Sequence, residues 1–156
     1  MKALISILLA SSLYAGNMFV TAGISMGADT TGTADSEIAE SPFGTFGVEY
    51  ETKYGNLFYE HTSSIPQINE TMGLNMVGYK YGYSFKNVKP YAGVSFRDVA
   101  FDGYYYRDRI GGTIGIVGIE KDFGYSTLYL EYKGSMDEGK NLTTFGFRLK
   151  FDSEDL

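Results

Sequence analysis

From Met18 to Phe151 the sequence alternates, residue by residue, between two chemistries. Met18, Val20, Ala22, Ile24 and Met26 are interleaved with Thr21, Gly23 and Ser25; Phe46, Val48 and Tyr50 with Gly47, Glu49 and Glu51. Leu57 and Tyr59 begin a third run, and Val77, Tyr79, Tyr81, Tyr83 and Phe85 alternate with Gly78, Lys80, Gly82 and Ser84. Ala92, Val94 and Phe96 oppose Gly93, Ser95 and Arg97; Leu128, Leu130 and Tyr132 oppose Tyr129, Glu131 and Lys133; Phe145, Phe147, Leu149 and Phe151 oppose Thr144, Gly146, Arg148 and Lys150. Successive side chains of a strand point to opposite faces, so a period of two over about ten residues marks a strand with two unlike faces. The pattern predicts eight strands, at about 18–27, 44–53, 55–64, 74–86, 89–100, 109–120, 125–134 and 142–151. The sixth is glycine-rich and its faces are ambiguous.

The polar faces carry charges of both signs: Glu49, Glu51, Glu131, Lys80, Arg97, Lys133, Arg148 and Lys150. With the apolar faces inward the chain is a soluble sandwich or a lipocalin-like carrier; with them outward it is a membrane barrel with a charge-paired interior. Outward is favoured. The apolar faces hold more Tyr, Phe and Leu bulk than a small barrel encloses, whereas glycines and compact polar groups fit inside. Strands of about ten residues match a tilted bilayer crossing. Connections alternate long (about 28–43, 65–73, 101–108, 135–141) and short (53–54, 86–88, 122–124), as external loops and periplasmic turns do. The final strand, closing on aromatics at Phe151, resembles the C-terminal insertion signal of bacterial outer-membrane barrels, although residues 152 to 156 extend past it. The expected fold is all-β, an eight-stranded antiparallel up-and-down transmembrane β-barrel of residues 16–156 in the bacterial outer membrane.

Residues 1–15 read as a secretory signal peptide: Lys2, an apolar run from Ala3 to Ala10 that is too short to span a bilayer, and small residues around Ala15. Cysteine is absent and His61 is the only histidine, which excludes thiol catalysis, disulfides, thiolate zinc sites and multi-histidine metal sites. The basic residues are scattered through a chain of formal charge −6, so no nucleic-acid partner is expected. The acidic loop with Asp29, Asp35, Glu37 and Glu40 reads as solvated rather than cation-binding, and Tyr104 to Tyr106 as part of an interfacial aromatic belt rather than a sugar platform.

The chemistry concentrates between Leu57 and Tyr79. Ser63 follows His61 by two residues and Asn75 follows it by fourteen. By parity all three share the outward face of adjacent strands, near the outer-leaflet end, where His61 and Asn75 can lie directly opposite one another. A nucleophile, a base and an orienting group on a lipid-facing surface fit acyl transfer. The spacing resembles the outer-membrane phospholipase A family, whose Ser-His-Asn triad lies outside a barrel, and the run also resembles the small lipid A deacylases, which carry Glu where Asn75 stands. These resemblances imply an acyl ester hydrolase acting on phospholipid or lipopolysaccharide through His61, Ser63 and Asn75. The phospholipase family further implies calcium and dimerisation, but its ligand pattern is not recognisable here, so no cofactor is assigned and the state expected is a monomer or weak homodimer. Here Ser64, Ile65 and Pro66 follow the serine where both families have Asn and a nearby Gly. Asn69 or Glu70 are alternative orienting groups. The competing reading makes His61 and Ser63 a polar hairpin rim on a non-catalytic barrel for adhesion or envelope protection.

Overall fold

The computed structural model describes residues 16–29, 42–64, 73–97, 112–135 and 140–151. The expected signal peptide, most of the acidic loop, Tyr104 to Tyr106, and Ile65, Pro66, Asn69 and Glu70 lie outside the described residues. Eight strands, β1 (Met18–Asp29), β2 (Pro42–Thr52), β3 (Gly55–Ser64), β4 (Gly73–Gly82), β5 (Val88–Arg97), β6 (Thr113–Asp122), β7 (Ser126–Ser135) and β8 (Lys140–Phe151), follow one another in sequence order. Each pairs antiparallel with its neighbours, and β8 closes on β1 from Met18 opposite Phe151 to Asp29 opposite Lys140. The result is a closed up-and-down barrel with no free sheet edge.

The strand limits shift where local chemistry overrides the alternation. β4 ends at Gly82 although Tyr83 and Phe85 continue its pattern. Opposite Tyr83 stands Pro90, which accepts a bond from the Tyr83 amide at 3.2 Å but has no N–H to return one. The hairpin nevertheless closes at Phe85 and Val88, bonded in both directions around Lys86 and Asn87. β6 begins at Thr113, later than the alternation predicts, and its ambiguous faces resolve as apolar on both sides: Ile114 and Ile116 inside, Val117 and Ile119 outside.

Ile24, Phe46, Val77, Phe96, Val117 and Phe145 are all more than half exposed around the outer wall, while Glu49, Glu131, Lys133 and Arg148 are buried within. Exposing such a continuous apolar belt to water while burying charge is the reverse of a soluble protein, and only a bilayer makes it favourable. Among the described residues no helix is long and apolar enough to cross a membrane.

The interior is filled. Toward the turn end, Lys80 Nζ lies 2.9 Å from Glu49 and 3.3 Å from Glu131 and Arg148 bridges Glu49 at 3.4 Å and Glu120, while nearer the loop end Lys133 bridges Glu131 at 3.1 Å and Glu60. Every ion but Glu60 has more than one charged partner, and Glu60 also accepts from the Thr62 hydroxyl at 3.4 Å; a dry ion pair needs such added partners to offset its desolvation. Toward the loop end a ladder of hydroxyls, Thr144 to Ser25 at 2.7 Å, Ser25 to Thr45 at 2.6 Å and Thr45 to Thr62 at 3.0 Å, rings the wall beside an apolar plug of Phe43, Met76, Ile114 and Leu142. Besides the Phe43 ring of the plug and the compact groups expected inside, three further large rings fit there. Each lies opposite a glycine: Phe58 by Gly78, Tyr91 by Gly118 and Tyr129 by Gly146. The missing side chain of one strand is the space taken by its neighbour's ring.

Candidate active site

Because the interior is packed, chemistry on an external molecule has to come from the outer wall, the loops or the mouths. On the outer wall, β3 and β4 pair so that His61 lies directly opposite Asn75 and Ser63 opposite Gly73. His61 is half-buried, and Asn75 is buried although it belongs to the outward row. His61 Nδ1 lies 2.8 Å from Asn75 Oδ1. An amide oxygen only accepts, so Nδ1 carries the hydrogen and Nε2 keeps its lone pair free to take a proton. The same oxygen accepts the Tyr59 hydroxyl at 2.9 Å. Tyr59, on the row before His61 and diagonal to Asn75, is the residue the sequence reading missed; the diagonal reach of a long side chain across a ladder is the signal that points to it.

Ser63 occupies the next outward row, half-buried. Its cross-strand neighbours are Gly44 on β2 and Gly73 on β4, so neither carries a side chain against its hydroxyl. A Cβ placed on Gly44 would meet nothing nearer than the Phe46 ring at 3.4 Å. Among the described residues Ser63 is not hydrogen-bonded to His61: alternate residues on one strand face stand roughly 6 to 7 Å apart at Cα. The base and its orienting group are joined, and the nucleophile stands one row nearer the loop end. Glu60 points inward to Lys133 and takes no part.

Among the described residues no group of three or more His, Asp or Glu side chains is placed to hold a metal ion. A vestibule of about 170 Å³ opens at the turn end, lined in part by Asn56, Lys89, Glu120, Arg148 and Lys150. It is remote from His61, Ser63 and Asn75, which sit near the other end on the opposite surface of the wall.

No protein-family model matches the chain, and no curated protein matches it. Among solved structures it is similar to the crystal structure of Neisserial surface protein A (NspA), with a TM-score of 0.56 and 14% sequence identity over 87% of this chain and 97% of that one. At that identity the likeness is one of fold. The chain is an eight-stranded barrel of the outer-membrane type, similar in architecture to that surface protein.

Proposed function

We propose that this protein is a bacterial outer-membrane acyl ester hydrolase that acts on phospholipid or lipopolysaccharide from within the membrane plane. The observation that carries the reading is the 2.8 Å bond between His61 Nδ1 and Asn75 Oδ1 on the lipid-facing wall beside Ser63. A polar, ionisable group is costly there unless a function retains it. In the proposed reaction His61 Nε2 accepts the Ser63 hydroxyl proton as Oγ bonds to the ester carbonyl carbon. Collapse of the tetrahedral adduct breaks the bond to the alcohol oxygen, which leaves with the proton from His61. Water, deprotonated by the same nitrogen, then releases the fatty acid and regenerates Ser63. The one-row gap between serine and histidine fits a resting site, since such contacts often tighten only with substrate bound. In this reading residues 1–15 are the export signal and residues 16–156 form the membrane domain.

The same gap favours the second reading, a non-catalytic surface barrel. The two are separated by refolding the protein in detergent, supplying phospholipid or lipopolysaccharide, and measuring released fatty acid. The hydrolase reading expects release that falls by at least about 10³-fold in Ser63→Ala, with the folded barrel still shown by heat-modifiable gel mobility. Equal release from wild type and Ser63→Ala, or none from folded wild type, overturns it.

A further inference from the structure

The three turns at the end opposite the candidate site repeat one arrangement. In the turn between β2 and β3, Lys53 Nζ lies 4.6 Å from the centroid of the Tyr54 ring. Between β4 and β5, Lys86 Nζ lies 5.8 Å from the Phe85 ring, and at the end of β6 Lys121 Nζ lies 5.4 Å from the Phe123 ring of the turn that follows. The rings of Tyr54, Phe85 and Phe123, with Tyr83 and Tyr125 beside them, are each more than half exposed. Among the described residues no carboxylate pairs with Lys53, Lys86 or Lys121, whereas Lys80, Lys89, Lys133 and Arg148 inside the barrel each meet at least two. The chain is acidic overall, at −6, yet this rim presents cations outward.

We infer that the turn end of the barrel is a binding rim for anionic glycerophospholipid headgroups, each phosphate held by one lysine whose aromatic neighbour is seated at the bilayer interface. The rings continue the apolar belt to its edge, the depth at which amphipathic aromatic side chains anchor a membrane protein. An ammonium over a ring keeps most of its charge uncompensated, and a phosphate at that depth completes it. The turns are short, at two, five and three residues between successive strands, so Lys53 and Lys86 within them and Lys121 at the end of β6 reach only a thin headgroup layer, as a glycerophospholipid provides and a saccharide-bearing lipid does not. The alternation of turns around the wall places these lysines on separate sides of the barrel, so the lipids are bound singly rather than as a cluster.

The test uses the full chain refolded into phosphatidylcholine bilayers, with spin-labelled phosphatidylglycerol and phosphatidylcholine as probes and electron paramagnetic resonance reading the motionally restricted fraction. At low ionic strength phosphatidylglycerol is expected to associate more strongly, by about fivefold per lysine site, and salt should reduce the preference. The combined Lys53→Gln, Lys86→Gln, Lys121→Gln variant should lose it, and the corresponding three Arg substitutions should retain it. All of these positions are exposed, so folding is unaffected, and heat-modifiable mobility checks that. Equal association of both lipids with wild type, an unchanged preference in the glutamine variant, or stronger retention of spin-labelled lipid A than of phosphatidylglycerol each overturns the inference.

Discussion

At the scale of single residues, the informative atom is Asn75 Oδ1, which accepts from both His61 Nδ1 and the Tyr59 hydroxyl. Two donors on one oxygen fix the amide, and the amide fixes the imidazole. Tyr59 is thus a positioning residue in the proposed hydrolase. Removing its hydroxyl in Tyr59→Phe deletes one neutral hydrogen bond, so fatty-acid release should fall by a factor of about five with little change in KM. A fall in affinity without a fall in turnover would instead make Tyr59 a lipid contact. The histidine was legible in the sequence because it is the only one and the serine because it is suggestively spaced from it, and Asn75 joined them by spacing and parity. Tyr59 was not, because one tyrosine among 14 looks like any other belt residue until its hydroxyl has a partner.

Among the strands, the arrangement that the alternation could not display is the facing of interior rings by glycines. A Cβ at Gly146 would lie 2.6 Å from the Tyr129 ring, and neither the ring nor the β1 backbone behind it can move away cheaply. Gly146→Ala is expected to destabilise the barrel by about 1–3 kcal/mol through overpacking. Gly44→Ala, whose Cβ makes only ordinary contacts on the outer wall, the nearest with the Phe46 ring at 3.4 Å, should change stability by less than about 0.5 kcal/mol. Urea unfolding in detergent micelles, followed by circular dichroism, measures both; equal effects would refute the pairing of ring and glycine. The ends of the strands were the least legible part. Pro90 is visible in the sequence, but its consequence falls on Tyr83 of the neighbouring strand and so depends on register. β6 was ambiguous for a different reason: with isoleucines inside and Val117 and Ile119 outside, it has no contrast between faces for a period to reveal.

For the barrel as a whole, buried charges and an apolar plug occupy the interior among the described residues. Reconstituted in planar bilayers, the described barrel should not conduct ions at low voltage; stable single-channel steps would show that the interior rearranges. Glu131 joins the two halves of the ion network, meeting Lys80 at 3.3 Å, Lys133 at 3.1 Å and the Tyr91 hydroxyl at 2.8 Å. Glu131→Gln keeps the shape but removes the charge shared by two buried lysines, and it should cost about 3 kcal/mol of stability by urea unfolding. An effect below about 1 kcal/mol would mean that Glu49 and Glu60 suffice for those lysines.

The sequence by itself determined that this chain is a barrel and which way its faces point. Alternation is a local property of a strand, and charges of both signs opposite aromatic bulk leave one favourable solvent for each face. It also determined that His61, Ser63 and Asn75 share a face, since parity on a hairpin needs no more than the residue numbers. Only the tertiary structure decided which of them touch, which strand supplies space for which ring, and which lysines are neutralised inside and which remain at the rim. Those outcomes depend on register around a closed wall, where Lys80 and Glu131, 51 residues apart, become neighbours across the lumen. No periodicity in a linear sequence encodes that closure; it is fixed when β8 returns to β1.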